Sequence, residues 1–179
     1  MAALAARRHR VTRPVASGDR ELRRLALKAA NRLRTARETL VTAESCTGGF
    51  LAKCLTDLAG SSDYFERGWV VYSNEAKQTE LGVPSAQLAR FGAVSEEVAL
   101  ALVRGALRKT GAHHAIAVTG VAGPAGGSAA KPVGTVWIGW GYRQRGRVRI
   151  HASRYRFRGG RATVRRRAVA AALQGLLES

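Results

Sequence analysis

The sequence predicts an α/β fold, a three-layer α/β/α sandwich built on a mixed β-sheet. Three observations carry this. Over the first two-thirds of the chain, short apolar strands alternate with helical patterns, the order expected of a parallel sheet with crossover helices. The segment 133–142 is apolar on both faces, as a central strand covered from both sides must be. A turn at 143–146 then leads into a hairpin partner, which adds antiparallel pairing to the parallel part. A chain of 179 residues holds one such domain with a substantial core.

The elements follow in order. Residues 20–37 form a helix, with Leu22, Leu25, Ala26, Ala29 and Leu33 on one stripe. Residues 39–43 read as a short buried strand. Residues 46–58 read as a helix stopped by Gly60. A second strand is expected over 68–73, around Trp69-Val70-Val71-Tyr72, then a short helix over 74–81 stopped by Gly82 and a turn or two over 85–90. Ser95 caps a helix running to Lys109, with Glu96 and Glu97 at its positive end. Residues 115–119 form an apolar strand, and 120–132 a loop rich in Gly, Ala and Pro. The hairpin strand 147–157 should turn Val148 and Ile150 inward and Arg147 and Arg149 outward. After Gly159-Gly160 comes a last helix over 162–177, with Val164, Ala168, Ala171 and Ala172 on one face.

Composition sets the outer limits. The chain is 46% hydrophobic and 23% charged, ordinary for a globular protein, and no apolar run approaches the ~20 residues of a membrane span. Residues 1–19 are expected to be a disordered basic tail. They lack the apolar block of a secretory signal. The net charge of +18 attracts anions: nucleic acid, membrane surfaces or phosphorylated metabolites. Arg far outnumbers Lys beside abundant Ala and Gly, so part of this charge is compositional. Cys46 and Cys54, if on one helix, are separated by ~12 Å of rise and cannot pair, and no Cys/His cluster has zinc spacing. A reducing cytoplasm is the expected compartment.

Four segments can carry chemistry. Thr42-Ala43-Glu44-Ser45-Cys46-Thr47-Gly48-Gly49-Phe50 lies at a strand-to-helix junction, where unpaired amides favour an oxyanion or a phosphate; the same pattern also fits a plain capping turn. Ser45 and Cys46 are adjacent potential nucleophiles. The histidines supply no base: His9 is in the tail, His113 and His114 begin a strand and His151 lies within one. A lysine of lowered pKa can replace histidine, and Tyr72 with Lys77 are placed to project over one sheet edge. Spacing alone makes Lys77 an exposed helix lysine beside Glu80, and Tyr72 a half-buried aromatic. The Gly-rich loop 120–134, with Lys131 near its end, suits either an anion cradle or a flexible connector. The run from Arg154 to Arg161 interleaves arginine with aromatics, as nucleic-acid binders do, and equally fits the wet face of a strand.

Taken together, TAESCTGG, GSSDYFERGWVVYSNEAK, FGAVSEEVA, VTGVAGPAGGS, KPVGTVWIG and FRGGRATVRRRAV resemble, in family order from about residue 20 to the end, the C-terminal domain family of the competence-inducible protein CinA. Stand-alone members of that family include nicotinamide-nucleotide amidohydrolases. The resemblance implies an α/β/α sandwich that hydrolyses nicotinamide mononucleotide to nicotinic acid mononucleotide and ammonia, without metal or cofactor. It implies Ser45 as nucleophile, with Tyr72 and Lys77 as its partners. Thr119 is expected to support the site, and Arg161 is implicated beside it. The amides of Cys46, Thr47, Gly48 and Gly49 are the expected oxyanion donors, and Arg161 and the loop from Gly120 to Gly127 candidate contacts for the 5′-phosphate. The additional N-terminal domain of full-length CinA is not expected in a chain of this length. The expected partners are a small nucleotide and further copies of the chain, as a homodimer or larger, rather than a membrane. A nucleic-acid-binding or competence-associated module that keeps the fold without the chemistry is the competing reading, and Cys46 as nucleophile a narrower one.

Overall fold

The computed structural model describes residues 18–144 and 146–178. The expected basic tail therefore lies, apart from Gly18 and Asp19, outside the described residues, as does His9. Helix α1 (Asp19–Ala36) leads into β1 (Leu40–Glu44), α2 (Phe50–Thr56), β2 (Phe65–Val70), α3 (Asn74–Leu81), α4 (Ser85–Phe91) and α5 (Glu96–Lys109). Strand β3 (His114–Gly120), β4 (Thr135–Gln144), β5 (Arg147–Arg156) and α6 (Arg161–Leu177) complete the chain. The sheet order is β2-β1-β3-β4-β5; β1 pairs in parallel with β2 and β3, whereas β3–β4 and β4–β5 are antiparallel.

Side-chain alternation assigns each strand residue to a layer. On one face Leu40, Ile116, Val118, Val136, Ile138 and Trp140 pack with the apolar faces of α1, α2 and α6. On the other, Val41, Ala43, Ala115 and Ala117 pack with Val98, Leu102 and Val103 of α5 and Leu81 of α3. The fold is thus the expected three-layer α/β/α sandwich on a mixed sheet. All four expected inward residues of the last helix are buried.

Three expectations are corrected. The helix after β1 begins at Phe50, not at 46, because Gly48 and Gly49 both adopt left-handed backbone (φ 56° and 85°), which an α-helix cannot contain. Strand β2 begins at Phe65 rather than 68 and ends at Val70. Its polar start, Glu66-Arg67, reads as loop but belongs to an edge strand, whose residues face water. Val148 is 45% exposed rather than inward: it lies beside the hairpin turn of the edge strand β5, whereas Ile150, two residues further along, reaches the α5 core.

The parallel strands β1, β2 and β3 all end at the same edge of the molecule. The antiparallel pairing brings the start of β4, the end of β5 and the start of α6 to that edge too. In open α/β sheets this carboxyl edge is where ligands bind.

Candidate active site

Ser45 is the first residue after β1. Its N–H donates to the carbonyl of Val118 at 2.9 Å, which continues the β1–β3 ladder by one residue and fixes the backbone. The turn that follows closes on itself: the Gly48 N–H donates to Ser45 O at 3.0 Å and the Phe50 N–H to Thr47 O at 3.2 Å.

Glu44, buried at the end of β1, accepts the N–H of Leu51 at 3.0 Å and of Ala52 at 2.8 Å. A carboxylate thus occupies the N-terminus of α2, satisfying its orphan amides and opposing its dipole. The helix end itself is therefore filled, contrary to expectation. The open donors belong to the turn before it: among the described residues, no backbone or side-chain oxygen accepts from the amides of Cys46, Thr47 or Gly49. Gly48 is excluded from that set, since its amide is spent on Ser45.

Lys77 reaches Ser45 from the other side. It is 1% exposed, the reverse of the solvent-facing lysine that its spacing suggests, and it makes no pair with Glu80. Its Nζ lies 3.2 Å from Ser45 Oγ, and donates to the carbonyls of Val71 at 2.8 Å, Tyr72 at 3.1 Å and Ser73 at 3.3 Å. The cause is local. Ser73 caps α3 by accepting the Ala76 N–H, which starts the helix close after β2 and aims its first turn back over the end of β1. Burial holds the Lys77 ammonium below the ordinary lysine range.

Tyr72 is also inverted relative to its spacing: it is 57% exposed and lies beyond the end of β2. Its hydroxyl accepts from Arg161, at 2.9 Å, and Arg161 donates from its other nitrogen to Gly123 O at 3.0 Å. Arg161 thus spans from the end of β2 to the loop after β3, across the end of β1 where Ser45 stands.

The remaining candidates are placed as follows. The Thr119 hydroxyl donates to Ala93 O at 2.8 Å and ties β3 to the segment before α5. Gly120 lets β3 run close to β4, since a Cβ there would lie 2.8 Å from Thr135 O. Lys131 is spent on Phe91 O at 2.5 Å. His114 pairs with Glu38 at 2.7 Å, His113 accepts the Thr39 N–H at 3.1 Å, and His151 stacks on Trp140, so these histidines serve the fold. Cys46 is a poor rival nucleophile: burial pushes its thiol up to about 12, so little thiolate exists at neutral pH. A cleft of about 540 Å³ lies beside Arg156 and Arg158, and one of about 260 Å³ between Trp137 and the start of α5; neither is lined by Ser45 or Lys77.

Two residues of the site escaped the sequence reading. Glu44 is a carboxylate in a buried strand just before a helix, a pattern that does signal a cap. Arg165 donates to Thr47 O at 2.6 Å, and nothing in its run of three arginines marks it out.

The model of the CinA C-terminal domain matches residues 22–179. A nicotinamide-nucleotide amidohydrolase PncC from Pseudomonas putida is 51% identical over 154 residues, covering 86% of this chain and 94% of the relative. One from Escherichia coli K12 is 49% identical over 159 residues, covering 88% and 94%. Among solved structures, the competence/damage inducible protein CihA from Agrobacterium tumefaciens superposes with a TM-score of 0.83 at 41% identity, covering 93% of this chain and 98% of that one. The fold, the matched length and these identities together make the chain a member of the CinA C-terminal domain family.

Proposed function

We propose that the chain is an amidohydrolase that converts nicotinamide mononucleotide to nicotinic acid mononucleotide and ammonia, in pyridine nucleotide recycling. The observation that carries this is the buried Lys77 Nζ 3.2 Å from Ser45 Oγ, in a chain about half identical to relatives bearing that activity in their names.

As a neutral amine, Lys77 has two hydrogens and one lone pair. The two nearest carbonyls, of Val71 and Tyr72, take the hydrogens, which leaves the lone pair for the Ser45 hydroxyl. Ser45 Oγ attacks the carboxamide carbon while its proton passes to Lys77. The C=O π-bond pair becomes the oxyanion, held by the open amides of Cys46, Thr47 and Gly49. The C–N bond then breaks with return of that proton to nitrogen, and the exposed Tyr72 hydroxyl, oriented by Arg161, relays it. Ammonia leaves. Water adds to the acyl-enzyme with Lys77 again as base, which releases the acid and restores Ser45. Arg161 and the first amides of α6 suit the 5′-phosphate.

Both cysteines are free, which suits a reducing cytoplasm, and the assembly that fits the family is a homodimer or larger. One observation favours a second reading, a nucleic-acid module: the exposed arginines that accompany a net charge of +18. Ammonia release from nicotinamide mononucleotide separates the two. Wild type should release it, and Ser45→Ala should lose about 10³-fold or more. Full activity in Ser45→Ala would end the serine mechanism. Tight DNA binding at about 0.2 M salt without deamidation would replace the enzyme reading by the second.

A further inference from the structure

We infer that Arg165 is a positioning residue for the oxyanion turn, an inference that rests on the amidase reading. The peptide between Thr47 and Gly48 is pinned at both edges. Its carbonyl accepts from Arg165 at 2.6 Å, and its N–H donates to Ser45 O at 3.0 Å. The amides left open belong to the neighbouring peptides, so the plane of this one sets where the Thr47 and Gly49 N–H groups point.

That plane needs holding. Gly48 and Gly49 are consecutive left-handed glycines, and glycine rotates between backbone wells at little cost. A flip of the 47–48 peptide would turn an N–H toward Arg165 in place of the carbonyl, setting donor against donor. Arg165 is itself braced: its guanidinium lies over the Phe50 ring at 5.9 Å, and a Cβ on Gly48 would come within 3.5 Å of it. Arg161, one turn earlier on α6, makes no bond to this turn and serves Tyr72 and Gly123 instead. Two arginines on one helix face thus hold opposite sides of Ser45.

A guanidinium that fixes the oxyanion turn acts on kcat; one that grips the substrate phosphate acts on KM. In Arg165→Met, kcat for nicotinamide mononucleotide should fall by about 10²-fold, with KM changed by less than about threefold. Millimolar guanidinium should restore kcat in Arg165→Ala. A readout without turnover accompanies these: amide hydrogen exchange of Gly48 should speed up by about tenfold or more in Arg165→Met while Ile116 in β3 keeps its protection. A rise in KM alone, an unchanged kcat, or an unchanged Gly48 exchange rate would overturn the inference. If wild type releases no ammonia, the amidase reading fails by itself, and Gly48 exchange still decides whether Arg165 holds the turn.

Discussion

Lys77 pairs a demand for burial with a demand for a proton acceptor. An ammonium in its position is desolvated, and that lowers its pKa. As pH falls through the lowered value the base is lost, so kcat/KM should decline on the acid side and reach its plateau below the ordinary lysine range. Lys77→Arg should lose about 10²–10⁴-fold on the plateau, since a guanidinium does not deprotonate, and should show no acid-side decline of its own from this group. The same shift links to stability. Between the folded and the unfolded pKa of Lys77 the unfolded chain binds more protons, so unfolding free energy should rise with pH across that window, and the slope should be weaker in Lys77→Arg. Denaturant titrations at successive pH values, beside a pH–rate profile, measure both; a profile with no acid-side decline would remove Lys77 as base. None of this burial was legible in the spacing of Lys77. Its side chain is drawn inward to the end of β1, where Ser45 lies 32 residues back in the chain and outside any local window.

Helix α3 carries Lys77, and α5 positions α3. At their crossing Gly105 meets the backbone of Leu81, where an added Cβ would lie 2.0 Å from the Leu81 carbonyl oxygen. Ala is the better helix former by ~1 kcal/mol, yet a methyl group against backbone cannot be absorbed by a side-chain rotation. Gly105→Ala should therefore cost about 2 kcal/mol net and lower Tm by roughly 4–8 °C, and it should lower kcat as α3 is pushed off Ser45. Gly111→Ala, with no atom within 4 Å of its Cβ, is the matched control and should leave both unchanged. Thermal melts and ammonia release on the two variants decide the matter; wild-type kcat in a folded Gly105→Ala would show that α3 is not positioned this way. At this scale most elements were legible, because strand alternation, the Ser95 cap and glycine stops act locally. The start of α2 was not. Cys46, Phe50, Leu51, Cys54 and Leu58 have helical apolar spacing, and only the two left-handed glycines, together with the Glu44 carboxylate on the amides of Leu51 and Ala52, delay the helix to Phe50.

For the molecule as a whole, the strand order β2-β1-β3-β4-β5 decides which charges matter; alternation and the closing hairpin made a mixed sheet legible, but not this order, which long-range pairing sets. The end of β5 and the start of α6 lie at the carboxyl edge with Ser45, whereas the hairpin joining β4 to β5 lies at the opposite edge. Arg156 and Arg158 are exposed at the first, Arg147 and Arg149 at the second. Ten residues of β5 put ~30 Å between the two groups, about three Debye lengths at 0.1 M salt. The net charge of +18 is thus not one field acting on the site. An anionic nucleotide approaching Ser45 feels the nearby pair, and the distant pair is screened. Reversing charge in Arg156→Glu with Arg158→Glu should lower kcat/KM several-fold near 0.05 M salt while kcat holds, and the deficit should shrink toward 0.5 M as screening tightens to about 4 Å. Arg147→Glu with Arg149→Glu changes the net charge equally and should alter kcat/KM by less than about twofold at 0.1 M. Equal losses from both pairs would mean that total charge, and not its placement by the fold, governs substrate capture. No loss from either would mean that capture is not electrostatically steered, and that the arginines at this edge act only through the contacts they make.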